Sequence, residues 1–385
     1  MAIVPYTSDG LLPLNHFKHM NGMIKNLFTF SALIAFSCFA TAQSKPTDAK
    51  LVIVVMDGYR WQELFQGADS TILFSKEMNK SGRSDHAAYW DANIENRKRK
   101  LMPFVWGTLA KQGQIFGDRD KGNLVNLRNT YWFSYPGRSE IFAGYFDPKV
   151  NSNEYPDNPN TTVLEYLNQQ PAYKGKVAAF SSWDAVSRIM ARKRSGIYVN
   201  VYEEDIPGPS LSTAESFANA NQHLVPRVFG EGERIDAVTY AMARSYVQAK
   251  HPKIIYLDLG DTDEFAHAGK YDDYLDAGHH ADGICGDLWN TLQMDPFYKG
   301  QTYLLIVPDH GRGIDAKWTS HGEQTPRCNE TYFMAMGPGI APKGVISNGG
   351  QLYQEQYAQT IAKLLGYTFK ADHPIAEPVK ELFGK

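Results

Sequence analysis

The chain has 385 residues, of which 43% are hydrophobic, 13% aromatic and 21% charged, a composition that excludes intrinsic disorder and suffices for a large apolar core. Its 39 basic and 42 acidic residues leave a formal charge of -3, which excludes the strong positive field that gripping a nucleic-acid duplex requires. Length alone permits two domains. The polar motifs run from Asp57 to His321 and converge on one chemistry, however, so a single catalytic domain over 43–385 is expected, with insertions near 68–98 and 182–233.

Residues 1–42 are expected to be an upstream extension plus a signal peptide. Lys25 and Asn26 precede an apolar run over 27–40, and Ala40-Thr41-Ala42 offers the small residues that signal peptidase needs. The run is too short to span a bilayer, so an exported protein, periplasmic or secreted, is expected to carry no membrane span after cleavage. In that compartment Cys285 and Cys328 can pair as one disulfide or stay as free structural thiols.

Downstream, short apolar runs at 51–56, 177–180, 254–259, 303–307 and 332–336 read as strands. Helical periodicity occupies 101–112, 162–168, 235–249, 271–292 and 354–365. The alternation predicts an α/β sandwich around a largely parallel sheet, with ligands outside the carboxyl ends of its strands. Asp57 ends the first run ahead of Gly58, where a carboxylate is either a metal ligand or a turn former. Ser134 precedes a proline turn and an apolar helical start, the place of a helix cap or of a nucleophile near a metal. Asp263 and His267, four apart after the run 254–259, share one face if a helical turn begins there. Asp309-His310-Gly311 repeats the strand-end arrangement of Asp57, and His321-Gly322 adds another imidazole in a loop.

Asp57, Ser134, Asp263-x-x-x-His267, Asp309-His310-Gly and His321-Gly stand in an order that resembles the alkaline phosphatase superfamily, especially its phosphodiesterase and nucleotide pyrophosphatase branch. The segment from Ser134 to Gly144 matches that branch's nucleophile segment in length without a gap. The resemblance implies an α/β/α fold and two divalent ions. One would be held by Asp263, His267 and His321, the other by Asp57, Asp309 and His310, with the oxygen of Ser134 beside it. It also implies hydrolysis of a small phosphoric ester through a phosphoserine intermediate. Asp and His donors without Cys suit zinc.

The segment departs from that branch at Gly137 and Arg138. A guanidinium at 138 can grip two non-bridging oxygens, which favours a monoester over a diester, or it can form an ion pair at the surface or behind the site. Asn153 is the nearest match for a phosphate-binding Asn of the branch, and Ser139, Arg60 and Trp183 are further substrate-pocket candidates. Ser134-x-Pro-x-Arg138 also resembles the serine version of the sulfatase signature, which implies formylglycine and a single metal. That reading stands second, because sulfatases lack the set Asp263, His267 and His321. An exported protein of the same fold that binds metal without turnover is the non-enzymatic alternative.

Overall fold

The seven residues Lys50–Met56 form strand β1 and are buried along their whole length. Alternate side chains enter opposite cores: Val52, Val54 and Met56 join one cluster, Leu51, Ile53 and Val55 the other. A strand covered on both faces reads as an unbroken apolar run, which is why β1 shows no polar alternation. The protein is described by a computed structural model covering residues 48–383 apart from 84, 85 and 87, and the expected signal segment lies outside the described residues.

Ten further strands follow among the described residues: β2 (Gly113–Phe116), β3 (Asn123–Asn126), β4 (Val177–Ser181), β5 (Tyr198–Val201), β6 (Ile254–Leu259), β7 (Thr302–Val307), β8 (Glu330–Thr331), β9 (Phe333–Met336), β10 (Gly344–Val345) and β11 (Gly350–Tyr353). Eight form the central sheet in the order β10-β2-β9-β7-β1-β6-β4-β5. β9 runs antiparallel to both of its neighbours, and the pairings leave the other seven pointing the same way. β11, β3 and β8 make a small second sheet. The expected α/β architecture with a largely parallel sheet is therefore present.

The structure adds detail to three local expectations. The run 332–336 is a strand, but an antiparallel one. The helix expected over 101–112 is present over 103–112, with a wide-turn stretch over Val105–Leu109 that continues into Ala110–Gln112, and Met102 separates it from a further α-helix over Ile94–Leu101. Cys285 and Cys328 form no disulfide; both are buried free thiols, Cys285 in the core under the Tyr271–Met294 helix and Cys328 beside the Ser320 carbonyl.

The central strands β7, β1 and β6 end side by side, and the helix Ser134–Ala143 packs across their carboxyl ends. Close approach there depends on Gly137, whose missing side chain would otherwise stand 2.3 Å from the carbonyl oxygen of Asp309. Gly137→Ala should therefore destabilise the fold by about 1–3 kcal/mol, measured by denaturant unfolding. Gly283→Ala, in open space on the Tyr271–Met294 helix, should instead stabilise by up to about 1 kcal/mol.

Candidate metal centre and nucleophile

Strand ends deliver three of the centre's polar side chains directly. Asp57 follows β1, while Asp309 and His310 follow β7 after Pro308. Beyond β6 the chain enters the helix Asp261–His267, and its first turns put Asp263 and His267 on one face, with Asp263 Oδ2 2.9 Å from His267 Nε2. Gly58 makes the convergence possible. It takes φ +56°, and a Cβ there would lie 2.7 Å from Asp263 Oδ1.

Two donor groups result, and His310 stands between them. Donor atoms of Asp57, Asp309 and His310 lie within 4.8 Å of one another, as do those of Asp263, His310 and His321. His267 completes the second group, with its Nε2 3.0 Å from His321 Nε2. Such spacings suit a divalent ion held by imidazole and carboxylate. Asp57 Oδ1 is buried without a hydrogen bond, 3.2 Å from His310 Nε2, so a costly orphan acceptor faces a ligand nitrogen where a cation would satisfy both. The donor set and this orphan atom fit the two dications that the sequence leads one to expect.

Ser134 is the first residue of the Ser134–Ala143 helix, after extended Phe133, and its Oγ lies 3.3 Å from His310 Nε2. The side chain is buried against the Asp57–Asp309–His310 group, at the positive end of a ten-residue helix. Asn153 stands beside it. Its Oδ1 accepts from the Tyr135 N–H at 2.9 Å, which leaves its amide NH2 with no partner among the described residues.

The four other residues proposed to meet substrate have different surroundings. Arg138 is fully buried beneath the donor groups. Its Nε and Nη2 donate to Asp258, its Nη2 also reaches Asp57 Oδ2 at 2.8 Å, and Nη1 pairs with Asp309 Oδ2. A guanidinium shared among three carboxylates has no edge left for two phosphoryl oxygens, so the expected clamp is corrected to an internal brace. Trp183 lies over that guanidinium rather than over an open pocket, 5.4 Å from ring to Cζ. Ser139 is buried and accepts from Asn158 Nδ2. Arg60 is buried on Glu63 and the Gly313 carbonyl.

Sequence reasoning passed over two participants. Asp258, the penultimate residue of β6, takes Arg138, the Tyr256 hydroxyl and the Ser181 hydroxyl. Its signal was available: a carboxylate inside an apolar strand requires a buried cation. Arg312, directly after Asp309-His310-Gly311, is buried with Nη1 on Asp263 Oδ1 and Nη2 3.4 Å from His267 Nδ1. Nothing in its spacing announces that contact.

Burial and charge set the ionisation of the centre. Burial alone would raise the Asp57 carboxyl, but Arg138 and His310 outweigh it and hold it below the usual carboxylate range. Burial pushes Asp309 up to about 7 in spite of Arg138. Burial would lower His310, yet Asp309 and Asp57 carry it up to about 9. With no metal bound, His310 is thus protonated at neutral pH, and its charge contributes stability that is fully present below 6.5 and lost as pH rises through about 9. Metal binding must expel that proton. Zinc affinity of the metal-stripped protein should therefore climb from about pH 7 and level off above about 9, with proton release seen by calorimetry in buffers of different ionisation enthalpy. A flat profile over that range would contradict the assignment of His310.

Neither protein-family models nor curated proteins match this sequence. Solved structures do. The chain is similar to wild-type alkaline phosphatase PafA, with TM-score 0.57 and 12% identity over 87% of this chain and 99% of that one. It is also similar to the lipoteichoic acid synthase LtaP from Listeria monocytogenes, with TM-score 0.52 and 14% identity over 88% and 75% of the two chains. At these identities the likeness bears on architecture, and the chain has an alkaline-phosphatase-like α/β fold.

Proposed function

We propose that the protein is an exported phosphoric ester hydrolase that uses Ser134 as nucleophile and two divalent ions, zinc by donor type, held by Asp57, Asp309 and His310 and by Asp263, His267 and His321. The observation that carries this reading is the convergence of a helix-terminal serine with two groups of carboxylate and imidazole donors at one sheet edge. When bound, the ions would supply Lewis acidity toward the ester and favour the ionised form of Ser134. The Ser134 oxygen forms the bond to phosphorus as the bond to the leaving oxygen breaks, which gives a phosphoserine. Water then cleaves that ester and restores the hydroxyl.

The chain's own groups position these steps. In the first turn of the Ser134–Ala143 helix the Ser134 N–H is the one left for a phosphoryl group, because Tyr135 donates to Asn153, Pro136 has no N–H and Gly137 donates to the Phe133 carbonyl. Tyr135 fixes the Asn153 carboxamide so that its NH2 is free for a phosphoryl oxygen. Arg138 holds Asp57 and Asp309 in place and touches no substrate, which removes the reason to prefer monoesters over diesters.

Ser134→Ala should lower turnover of an aryl phosphate by roughly a thousandfold or more while zinc content stays at the wild-type level. Acid-quenched wild-type protein should yield a phosphopeptide containing Ser134. Retained turnover would remove the nucleophile assignment; a formylglycine mass at 134 with aryl sulfate turnover would favour a sulfatase. Arg138→Met should destabilise the fold by about 3–5 kcal/mol and depress turnover of aryl and bis-aryl phosphate alike, because it strands buried carboxylates. A loss confined to the monoester would return Arg138 to the substrate.

A further inference from the structure

The two donor groups differ in what surrounds them. Around Asp57, Asp309 and His310 the outer contacts leave room for a cation. His310 Nδ1 lies 2.9 Å from the Gly311 carbonyl, so that nitrogen carries the proton and Nε2 is left as the donor. Asp309 Oδ1 accepts from the backbone N–H groups of Gly58 and His310. Arg138 carries positive charge into this group, but Asp258 neutralises it, and Asp258 belongs to neither donor group. The carboxylates of Asp57 and Asp309 thus keep two negative charges for a dication.

The surroundings of Asp263, His267 and His321 oppose one. Arg312 is buried, and among the described residues its only carboxylate within ion-pair distance is Asp263, itself a donor of the group. The carbonyl oxygens of Trp318 and Thr319 accept from Arg312 Nε at 3.0 Å and Nη2 at 2.6 Å and hold the guanidinium there. Its charge cancels that of Asp263. The outer ring nitrogens fare no better: His267 Nδ1 faces Arg312 Nη2, a donor, and His321 Nδ1 is buried with no partner. A histidine that binds metal through Nε2 needs an acceptor at Nδ1, and neither ring has one.

We propose that Arg312 makes the two positions unequal, so that the Asp57–Asp309–His310 site binds its ion tightly and the Asp263–His267–His321 site is weak and exchangeable. The inference rests on the reading of both groups as metal sites. Its consequence is that the protein cycles between one and two bound ions as free metal varies, with Arg312 as the competing cation at the weaker position.

The test is a zinc titration of metal-stripped full-length protein by calorimetry, with bound zinc counted by elemental analysis after dialysis. Wild type should show two classes of site separated by at least about tenfold in affinity. His267→Ala should abolish the weak class and leave the tight one. Arg312→Met, which keeps the bulk without the charge, should tighten the weak class by about tenfold or more. Two classes of equal affinity in the wild type would overturn the inference even if the variant failed to fold. So would an unchanged weak class in folded Arg312→Met, or loss of the tight class in His267→Ala; all three leave the two-metal reading standing. No zinc bound at either class would overturn that reading and the inference together.

Discussion

Arg138 among Asp57, Asp258 and Asp309 is the contact on which the rest of the centre depends. The three carboxylates come from strands β1, β6 and β7, and the guanidinium comes from the helix that carries Ser134. One side chain therefore fixes the spacing of three strand ends and the seat of Ser134. Such an ion cluster contributes little net stability when complete, because desolvation offsets attraction, but it leaves no tolerance for a missing member. Its value lies in geometry: with Asp57 Oδ2 held by Arg138, Asp57 Oδ1 faces His310 Nε2 at 3.2 Å.

The same logic explains why charge is so concentrated at one edge of a chain that is nearly neutral as a whole. Acids and bases here are buried in alternating contact, with Asp258 against Arg138, Arg138 against Asp57 and Asp309, and Arg312 against Asp263. The low local dielectric strengthens each pair and sharpens the difference between a neutralised and an unneutralised cation. The proposed inequality of the two donor groups follows from that difference rather than from donor identity, since both groups mix carboxylate and imidazole. The 68–98 segment supports the outer side of this arrangement, where the Met78 carbonyl accepts from Trp318 Nε1 and Lys80 N donates to the Gly269 carbonyl. The 182–233 segment closes another side through the Trp183–Glu233 bridge and the contact of Phe229 with Phe265.

Much of the centre was legible in the sequence because strand ends are legible. The runs before Asp57, Asp263 and Asp309 are apolar, β-branched and buried on both faces, and the residues that follow such runs are the ones a parallel sheet presents to ligands. The four-residue spacing of Asp263 and His267 specified one helical face, and the Asp261–His267 helix bears it out. What escaped was whatever depends on how strands register against one another. Arg138 reads as an exposed phosphate clamp until β1, β6 and β7 are laid side by side, and only then are its three partners within reach. Arg312 is invisible for the same reason. The strands β2 and β5, four residues each, carry too little periodicity to be told from loops.

The central claim is that two metal ions sit at this sheet edge with Ser134 beside one of them, and the most direct measurement is a crystal structure of zinc-loaded protein with anomalous diffraction at the zinc edge. The account predicts two peaks, one among Asp57, Asp309 and His310 next to an unmodified Ser134, and a second, of lower occupancy at limiting zinc, among Asp263, His267 and His321. A single peak at saturating zinc with Arg312 still on Asp263, or density for an aldehyde at position 134, would contradict it.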